Sequence, residues 1–173
     1  MNDQQQINYR NKSLFHRLLV TEEKTTDMLE KLVGGRLTVQ VIQQKMIDSQ
    51  MFRESILYTK NDHFIVSHNF ALIDPDRIPR RLYEKIVSKN DGIGEAMNLL
   101  DLESIRDIST YGWKNENELG DFHNCPVHLR FANGEFPVPF KEYTITFQDL
   151  NKPGIRLTEY FNPQMIRSDL SEH

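Results

Sequence analysis

The chain has 173 residues, a length that suits one domain with its own hydrophobic core. Hydrophobic residues make up 38% and charged residues 27%, and the formal net charge is -4, so there is no basic excess to favour nucleic acid. No apolar stretch is long enough to span a bilayer, and the N-terminus lacks a signal-peptide pattern. We therefore expect a cytoplasmic protein with neither a membrane nor a nucleic-acid partner.

Several kinds of active site lack their sequence signatures. Cys125 is the only cysteine, which excludes an intrachain disulfide. The six histidines are scattered without a His-x-x-x-His pair, and Gly34-Gly35 is not followed by the Lys-Ser or Lys-Thr of a phosphate-binding loop. No serine lies in a nucleophile elbow. Zinc enzymes, kinases and serine hydrolases are therefore disfavoured.

The chain begins with two predicted helices. The first starts at Asn11 or Ser13, after a loose segment at residues 1–10. The second starts near Thr25, where acidic residues suit the positive end of a helix dipole, and it ends at Gly34-Gly35. Its apolar residues have the spacing of one buried helix face: Met28, Leu29, Leu32 and Val33.

Strands follow, with β-branched and aromatic residues in rough alternation. Residues 37–46 change their apolar phase near Val41-Ile42, which predicts a β-bulge. Residues 52–72 predict a hairpin that turns at Lys60-Asn61-Asp62. Pro79 then favours a helix that runs to Asn90.

The second half of the chain predicts a short helix and more strands. The helix covers residues 95–100 and has Asp91 as its expected cap. Residues 102–113 predict a strand, and residues 114–126 a polar excursion.

Two hairpins are predicted towards the C-terminus. The first turns at Asn133-Gly134, and Pro137 and Pro139 would place its second arm at a sheet edge. The last joins residues 143–147 to 155–161, before a loose tail at 164–173. The order of elements predicts a single α+β domain over residues 1–173, with one mostly antiparallel sheet and helices packed on it.

Glu159 is the residue that most strongly suggests a site. In the strand at 155–161 it shares a face with Ile155, Leu157 and Phe161, because strand side chains repeat every two residues. A lone ionised carboxylate on a buried face is costly unless it is paired or hydrogen-bonded. Glu159 therefore has a partner inside the fold or is held for a ligand, and we expect Arg53 to be the cation opposite it.

Four short motifs, in this order and spacing, resemble the chorismate pyruvate-lyase family over residues 14–163. They are Leu18-Leu19-Val20-Thr21-Glu22-Glu23-Lys24-Thr25-Thr26, Arg53-Glu54-Ser55-Ile56-Leu57, Asp91-Gly92-Ile93-Gly94 and Leu157-Thr158-Glu159-Tyr160-Phe161-Asn162-Pro163. The resemblance implies a chorismate lyase-like fold and conversion of chorismate to 4-hydroxybenzoate and pyruvate, with no cofactor and no metal.

The resemblance also assigns the site residues. Arg53 would bind the substrate carboxylate and Glu159 would face the ring hydroxyl, both as catalytic residues, while Thr25 and Ile93 would supply backbone contacts. The ligand would lie in a closed pocket beneath flaps, here the 25–35 region. An arginine fork suits a carboxylate, and helix starts offer free N–H groups to an anion.

Alternatives remain open at this stage. Arg53 could be a solvated surface residue, Glu159 could pair with a structural Lys or Arg, and Glu159 could act either as a base or only as an orienting group. The excursion at 114–126 could cover the pocket or mediate association. The same fold class also serves as the effector-sensing domain of bacterial transcription regulators, although no helix-turn-helix segment or basic stripe is present in this sequence.

Overall fold

A computed structural model describes residues 16–132 and 134–166 of the chain. Residues 16–20 are helical, and three further helices follow: α1 Thr25–Val33, α2 Arg80–Val87 and α3 Ile93–Leu99. The strands are β1 Leu37–Ile47, β2 Gln50–Thr59, β3 Ile65–Ile73, β4 Ser104–Lys114, β5 Val138–Phe147 and β6 Ile155–Phe161. The predicted helix start at Asn11 or Ser13, the loose segment at 1–10 and the tail at 167–173 lie outside the described residues.

The six strands form one sheet in the order β1-β2-β3-β6-β5-β4, and every neighbouring pair is antiparallel. Helices α2 and α3 connect the central strand β3 to the outer strand β4, which carries them across one face of the sheet. The predicted α+β architecture is confirmed. None of the described helices combines the length and apolarity needed to cross a bilayer.

Three predicted local features are confirmed. The register of β1 against β2 shifts between Val41 and Gln43, which is the bulge that the phase change indicated. β2 and β3 pair as a hairpin, and residues 60–62 form its turn. β5 and β6 form the last hairpin, with Ile145 opposite Ile155.

The sheet is covered on both faces, which we define by what covers them. On the helix face, α2 and α3 bury one core with the strands: Met51, Ala71, Ile73, Ile78, Leu82, Ile86, Ala96, Met97, Tyr143, Ile145, Phe147, Ile155 and Leu157. The opposite face is covered by residues 115–132 and 134–137, and Leu119, Leu129 and Phe131 of this segment pack on Phe70 and Tyr160. The excursion therefore covers the face of the sheet away from the helices.

The hairpin predicted around Asn133-Gly134 is wrong. In the described part of the chain, residues 127–131 form no strand, and β5 lies between β4 and β6 rather than at an edge. Pro139 is tolerated because this end of β5 pairs only with β4, through Trp113, whereas pairing with β6 begins at Phe140. A proline lacks the N–H that a strand paired on both sides needs.

Asp91 is not the cap of α3. Gly92 occupies the cap position without a side-chain hydrogen bond, while the Asp91 carboxylate pairs with Lys85 Nζ at 3.2 Å. Helix α2 ends at Val87 rather than at Asn90. At the C-terminus, Pro163–Ile166 forms a 3-10 turn with Met165 buried, so the packed part of the chain extends beyond the predicted start of the tail.

Candidate ligand-binding site

A small cavity lies between the helix face of the sheet and the starts of α1 and α3. Thr25 of α1, Ile93 of α3 and Glu159 of β6 all line it, so three of the four residues predicted for the site converge on one space. They come from distant parts of the chain, and the sheet order brings them together. The fourth, Arg53, is not part of the cavity wall.

Glu159 faces the cavity because the alternation of β6 places it on the helix face. It is 6% exposed, and Tyr143 of β5 donates a hydrogen bond from its hydroxyl to Glu159 Oε1 at 2.9 Å. Glu159 Oε2 has no hydrogen-bond partner. Burial raises the pKa of Glu159, against the opposing effects of the Lys141 charge and the Tyr143 hydrogen bond.

The cation opposite Glu159 is Lys141, so the expectation that Arg53 would be opposite it is wrong. Lys141 and Glu159 face each other across β5 and β6, although they form no direct ion pair among the described contacts. Lys141 is 1% exposed, and its Nζ donates to the carbonyl oxygens of Leu18 at 3.2 Å and Thr21 at 3.4 Å. Burial lowers the pKa of Lys141. Lys141 thus holds the end of the first helix and gives the site positive charge.

Arg53 is buried on the same face as Glu159, so the interpretation of Arg53 as a solvated residue is wrong. Its Nη2 donates to the carbonyl oxygen of Asp91 at 2.6 Å, and its Nη1 to that of Ile86 at 3.4 Å and to Gln44 Oε1 at 3.5 Å. Burial lowers the pKa of Arg53 to about 10, with the Asp91 charge opposing. Arg53 therefore joins the end of α2 to the turn before α3, and its role in binding a ligand stays a prediction.

Sequence reasoning missed Arg106, which also lines the cavity. A simple alternation along β4 favours Ile105 as the buried residue, but Ile105 is 73% exposed and Arg106 lies in register with the core residue Ile145. The register of β4 shifts between Ile108 and Thr110, which blurs the period of two in the sequence. Sequence reasoning also missed Tyr143 as a site residue. Its position two residues before Ile145 on the same strand was a signal that its side chain faces inward.

Four side chains around the cavity carry buried polar atoms without hydrogen-bond partners. The atoms are Thr25 Oγ1, Asn69 Oδ1, Arg106 Nε and Glu159 Oε2. The Thr25 hydroxyl lies beside Tyr143 and Glu159 but lacks hydrogen-bond geometry to either. Buried polar groups are normally paired, so four unpaired atoms on one cavity indicate a place where a polar molecule can bind.

The starts of α1 and α3 leave backbone donors near the cavity. Lys24 and Gly92 are the cap residues: the Lys24 ammonium has no acceptor, and Gly92 has no side chain, so neither caps the N–H groups of its helix. Asn98 of α3 holds the two helices together: its Oδ1 accepts from Lys24 Nζ, and its Nδ2 donates to Asp27 Oδ1 at 3.3 Å. The first turn of α1 is therefore tied to α3.

The cavity has a volume of about 40 Å³. That is room for roughly three water molecules, whereas a cavity that holds a benzene ring is nearer 150 Å³. A neighbouring cleft of about 350 Å³ shares Thr26, Val39, Leu57 and Gly92 with it. A ring-sized ligand therefore requires this shared wall to move.

Comparison with known proteins gives one sequence relative and a shared fold. No family model matches the chain. A protein named "Putative lyase MJ0807" from Methanocaldococcus jannaschii is 25% identical over 147 residues, which cover 83% of this chain and 75% of the relative.

Among solved structures, PhnF from Mycobacterium smegmatis superposes with a TM-score of 0.52 at 10% identity. The match covers 84% of this chain and 66% of PhnF, so the chain spans just under two thirds of that protein's length. The C-terminal domain of the histidine utilization repressor from Pseudomonas syringae pv. tomato is 12% identical, covering 75% of this chain and 94% of that domain, with a TM-score of 0.43. Taken with the sheet order, the PhnF likeness defines the fold as α+β and chorismate lyase-like.

Proposed function

We propose that this protein binds a small hydroxylated carboxylic acid in the cavity between the sheet and helices α1 and α3. The observation that carries the proposal is the set of four unpaired buried polar atoms on Thr25, Asn69, Arg106 and Glu159. Leaving such an atom unpaired costs about 1–3 kcal/mol. A fold tolerates several such costs where a ligand satisfies the groups.

The chemistry of the wall supports a hydroxy acid as the ligand. Tyr143 donates a hydrogen bond to Glu159 Oε1, which leaves Oε2 without a partner. When Glu159 is ionised, Oε2 can accept a hydrogen bond and therefore suits a ligand hydroxyl. Arg106 lines the cavity and Lys141 lies in register with Glu159, and these two positive charges suit a ligand carboxylate. A ring joining these two groups would extend into the neighbouring cleft through the wall at Thr26 and Gly92. The resemblance in the sequence makes 4-hydroxybenzoate the natural probe.

A second candidate function is catalysis, as a lyase that converts chorismate to 4-hydroxybenzoate and pyruvate. It is favoured by the name of the Methanocaldococcus jannaschii relative, which matches most of both chains. In this reaction Glu159 would orient the ring hydroxyl, and the charged groups of the site would stabilise developing charge on the enolpyruvyl group. The resemblance in the sequence assigns the binding of chorismate to Arg53, Glu159, Thr25 and Ile93.

Two measurements on the same purified protein separate the candidates. Calorimetric titration with 4-hydroxybenzoate tests binding, and a coupled assay for pyruvate, run on chorismate with a metal chelator present, tests catalysis. Binding without pyruvate release supports a binding domain, and pyruvate release supports the lyase. If the protein neither binds 4-hydroxybenzoate nor releases pyruvate, both proposals fail.

A matched pair of variants ties either result to the cavity. Glu159→Gln keeps the shape of the side chain but loses the charged acceptor, and we expect it to weaken binding about 10-fold or more. Glu54→Gln makes the same change on the opposite face of the sheet, where Glu54 contacts His68 at 2.8 Å, and it should leave binding unchanged. Equal losses in the two variants would place the ligand elsewhere.

A further inference from the structure

We propose that Arg106 of β4, and not Arg53 of β2, binds the carboxylate of the ligand. The inference rests on the proposed binding function and names the residue that selects an acidic ligand. It divides the roles of two arginines that share the helix face of one sheet. Arg106 faces the cavity, whereas Arg53 donates hydrogen bonds to backbone carbonyl groups of the fold.

The position of Arg106 is that of a ligand contact. It lines the cavity together with Glu159 and Tyr143, and its Nε is buried without a hydrogen-bond partner. Among the described residues Arg106 forms no ion pair. Its charge nevertheless acts on the site, because it lowers the pKa of Glu159, although burial raises that pKa overall. An unpaired guanidinium in such a position has its donors available to an anion.

The position of Arg53 is that of a structural tie. The Nε of Arg53 is buried without a partner, as it is in Arg106, but both terminal nitrogens of Arg53 already donate, to the carbonyl oxygens of Asp91 and Ile86 and to the Gln44 side chain. The shortest of these bonds, at 2.6 Å, holds the turn that positions Ile93 and Gly94 on the cavity wall. Binding a carboxylate at Arg53 would require breaking bonds that shape the site itself.

The two arginines also differ in their place along the sheet. Arg53 lies opposite Ala71, which lies opposite Leu157, one step of alternation from Glu159. Arg106 reaches the cavity from the other side, from the outer strand β4 beyond β5. A ligand with its hydroxyl at Glu159 and its carboxylate at Arg106 therefore lies across β5, over Tyr143.

The test compares the acid with its uncharged analogue in Arg106 variants. Calorimetric titration would use 4-hydroxybenzoate and 4-hydroxybenzamide, which share the ring and the hydroxyl and differ in the charged group. Arg106→Gln should weaken binding of the acid about 10- to 100-fold and that of the amide less than about threefold. Arg106→Lys keeps the charge and should recover part of the affinity for the acid. Equal losses for acid and amide in Arg106→Gln would overturn the assignment.

A stability measurement tests the structural role of Arg53 without any ligand. Arg53→Lys keeps a buried charge but cannot reach both carbonyl oxygens, so its melting temperature should fall by about 5 °C or more. Arg106→Lys breaks no hydrogen bond to a residue that the structure describes, and it should stay within about 2 °C of the unchanged protein. Equal losses of melting temperature in the two variants would overturn the proposal.

These readouts keep the two proposals apart. If the unchanged protein binds neither the acid nor the amide, the proposed function fails, and the melting temperatures then test only whether Arg53 is a structural tie. If Arg53→Lys instead loses the acid selectively while its melting temperature is unchanged, Arg53 is the anchor and the assignment to Arg106 is overturned.

Discussion

Removing the Tyr143 hydroxyl should destabilise the protein by an amount that depends on pH. Tyr143→Phe deletes the 2.9 Å hydrogen bond to Glu159 Oε1 and leaves both oxygens of a buried carboxylate unpaired. A hydrogen bond to a charged group contributes about 1.5–3 kcal/mol, and one between neutral groups about 0.5–1.5 kcal/mol. The loss should therefore be larger at a pH where Glu159 is ionised.

The sign of the pH dependence follows from the direction of the pKa shift. Burial raises the pKa of Glu159 in the folded protein above its ordinary value of 4.5. Between the two values the folded state binds more protons than the unfolded state, so stability falls as the pH rises through that window. Tyr143→Phe removes a hydrogen bond that favours the ionised form, so it raises the folded-state pKa further. The difference between variant and unchanged protein should accordingly grow from pH 4.5 to pH 8.

Tyr160→Phe is the matched control, because it makes the same change on the next strand. Its hydroxyl donates to the carbonyl oxygen of Gly120 at 3.0 Å, a neutral partner on the opposite face of the sheet. Urea unfolding at pH 4.5 and pH 8 should give a loss of about 0.5–1.5 kcal/mol at both values for Tyr160→Phe. For Tyr143→Phe the loss should reach about 1.5–3 kcal/mol at pH 8. A loss that is the same at both pH values in Tyr143→Phe would refute the reasoning.

Two further predictions concern the sheet and the segment that covers its opposite face. At Gly154 an added Cβ would lie 2.1 Å from the carbonyl oxygen of Arg77, so Gly154→Ala should cost about 3 kcal/mol or more in urea unfolding. Gly35→Ala meets no atom within 4 Å and should stay within about 0.5 kcal/mol; equal losses would contradict the steric argument. Burial lowers the pKa of His68 from 6.5, so its contribution to stability is lost as the pH falls below that value. Its Nδ1 accepts from the backbone N–H of Arg130 at 3.2 Å, so hydrogen exchange at that amide should lose protection from pH 7.5 to 5.5, while interior amides of β6 do not; unchanged protection would argue against the link.

The carboxylate–tyrosine pair also bears on ligand choice. With a raised pKa, Glu159 changes its charge at a higher pH than a solvated carboxyl group does. Once ionised, Oε2 can only accept a hydrogen bond, which suits a ligand hydroxyl; while protonated, it can donate to a ligand oxygen. Affinity for 4-hydroxybenzoate should therefore depend on pH through Glu159, and Glu159→Gln should remove that dependence. A pH profile that is identical in this variant would show that Glu159 does not contact the ligand.

The sequence by itself determined most of the strands, two of the hairpins and the face that Glu159 occupies. These features depend on a period of two and on local turn residues, which are written in consecutive positions. The change of phase at Val41-Ile42 even located the bulge in β1. The inward position of Glu159 followed from Ile155, Leu157 and Phe161 in the same way.

Only the tertiary structure decided what each polar side chain meets. The register shift near Ile108 conceals from the sequence that Arg106 lies on the inner face of β4. Arg53 donates hydrogen bonds to the carbonyl oxygens of Ile86 and Asp91, which lie more than 30 residues away along the chain. Every residue has a backbone carbonyl group, so a hydrogen bond to a carbonyl oxygen cannot be recognised from the partner's residue type. Contacts between distant segments depend on strand order rather than on local periodicity. Which of the two arginines faces the cavity therefore depends on how the whole domain packs.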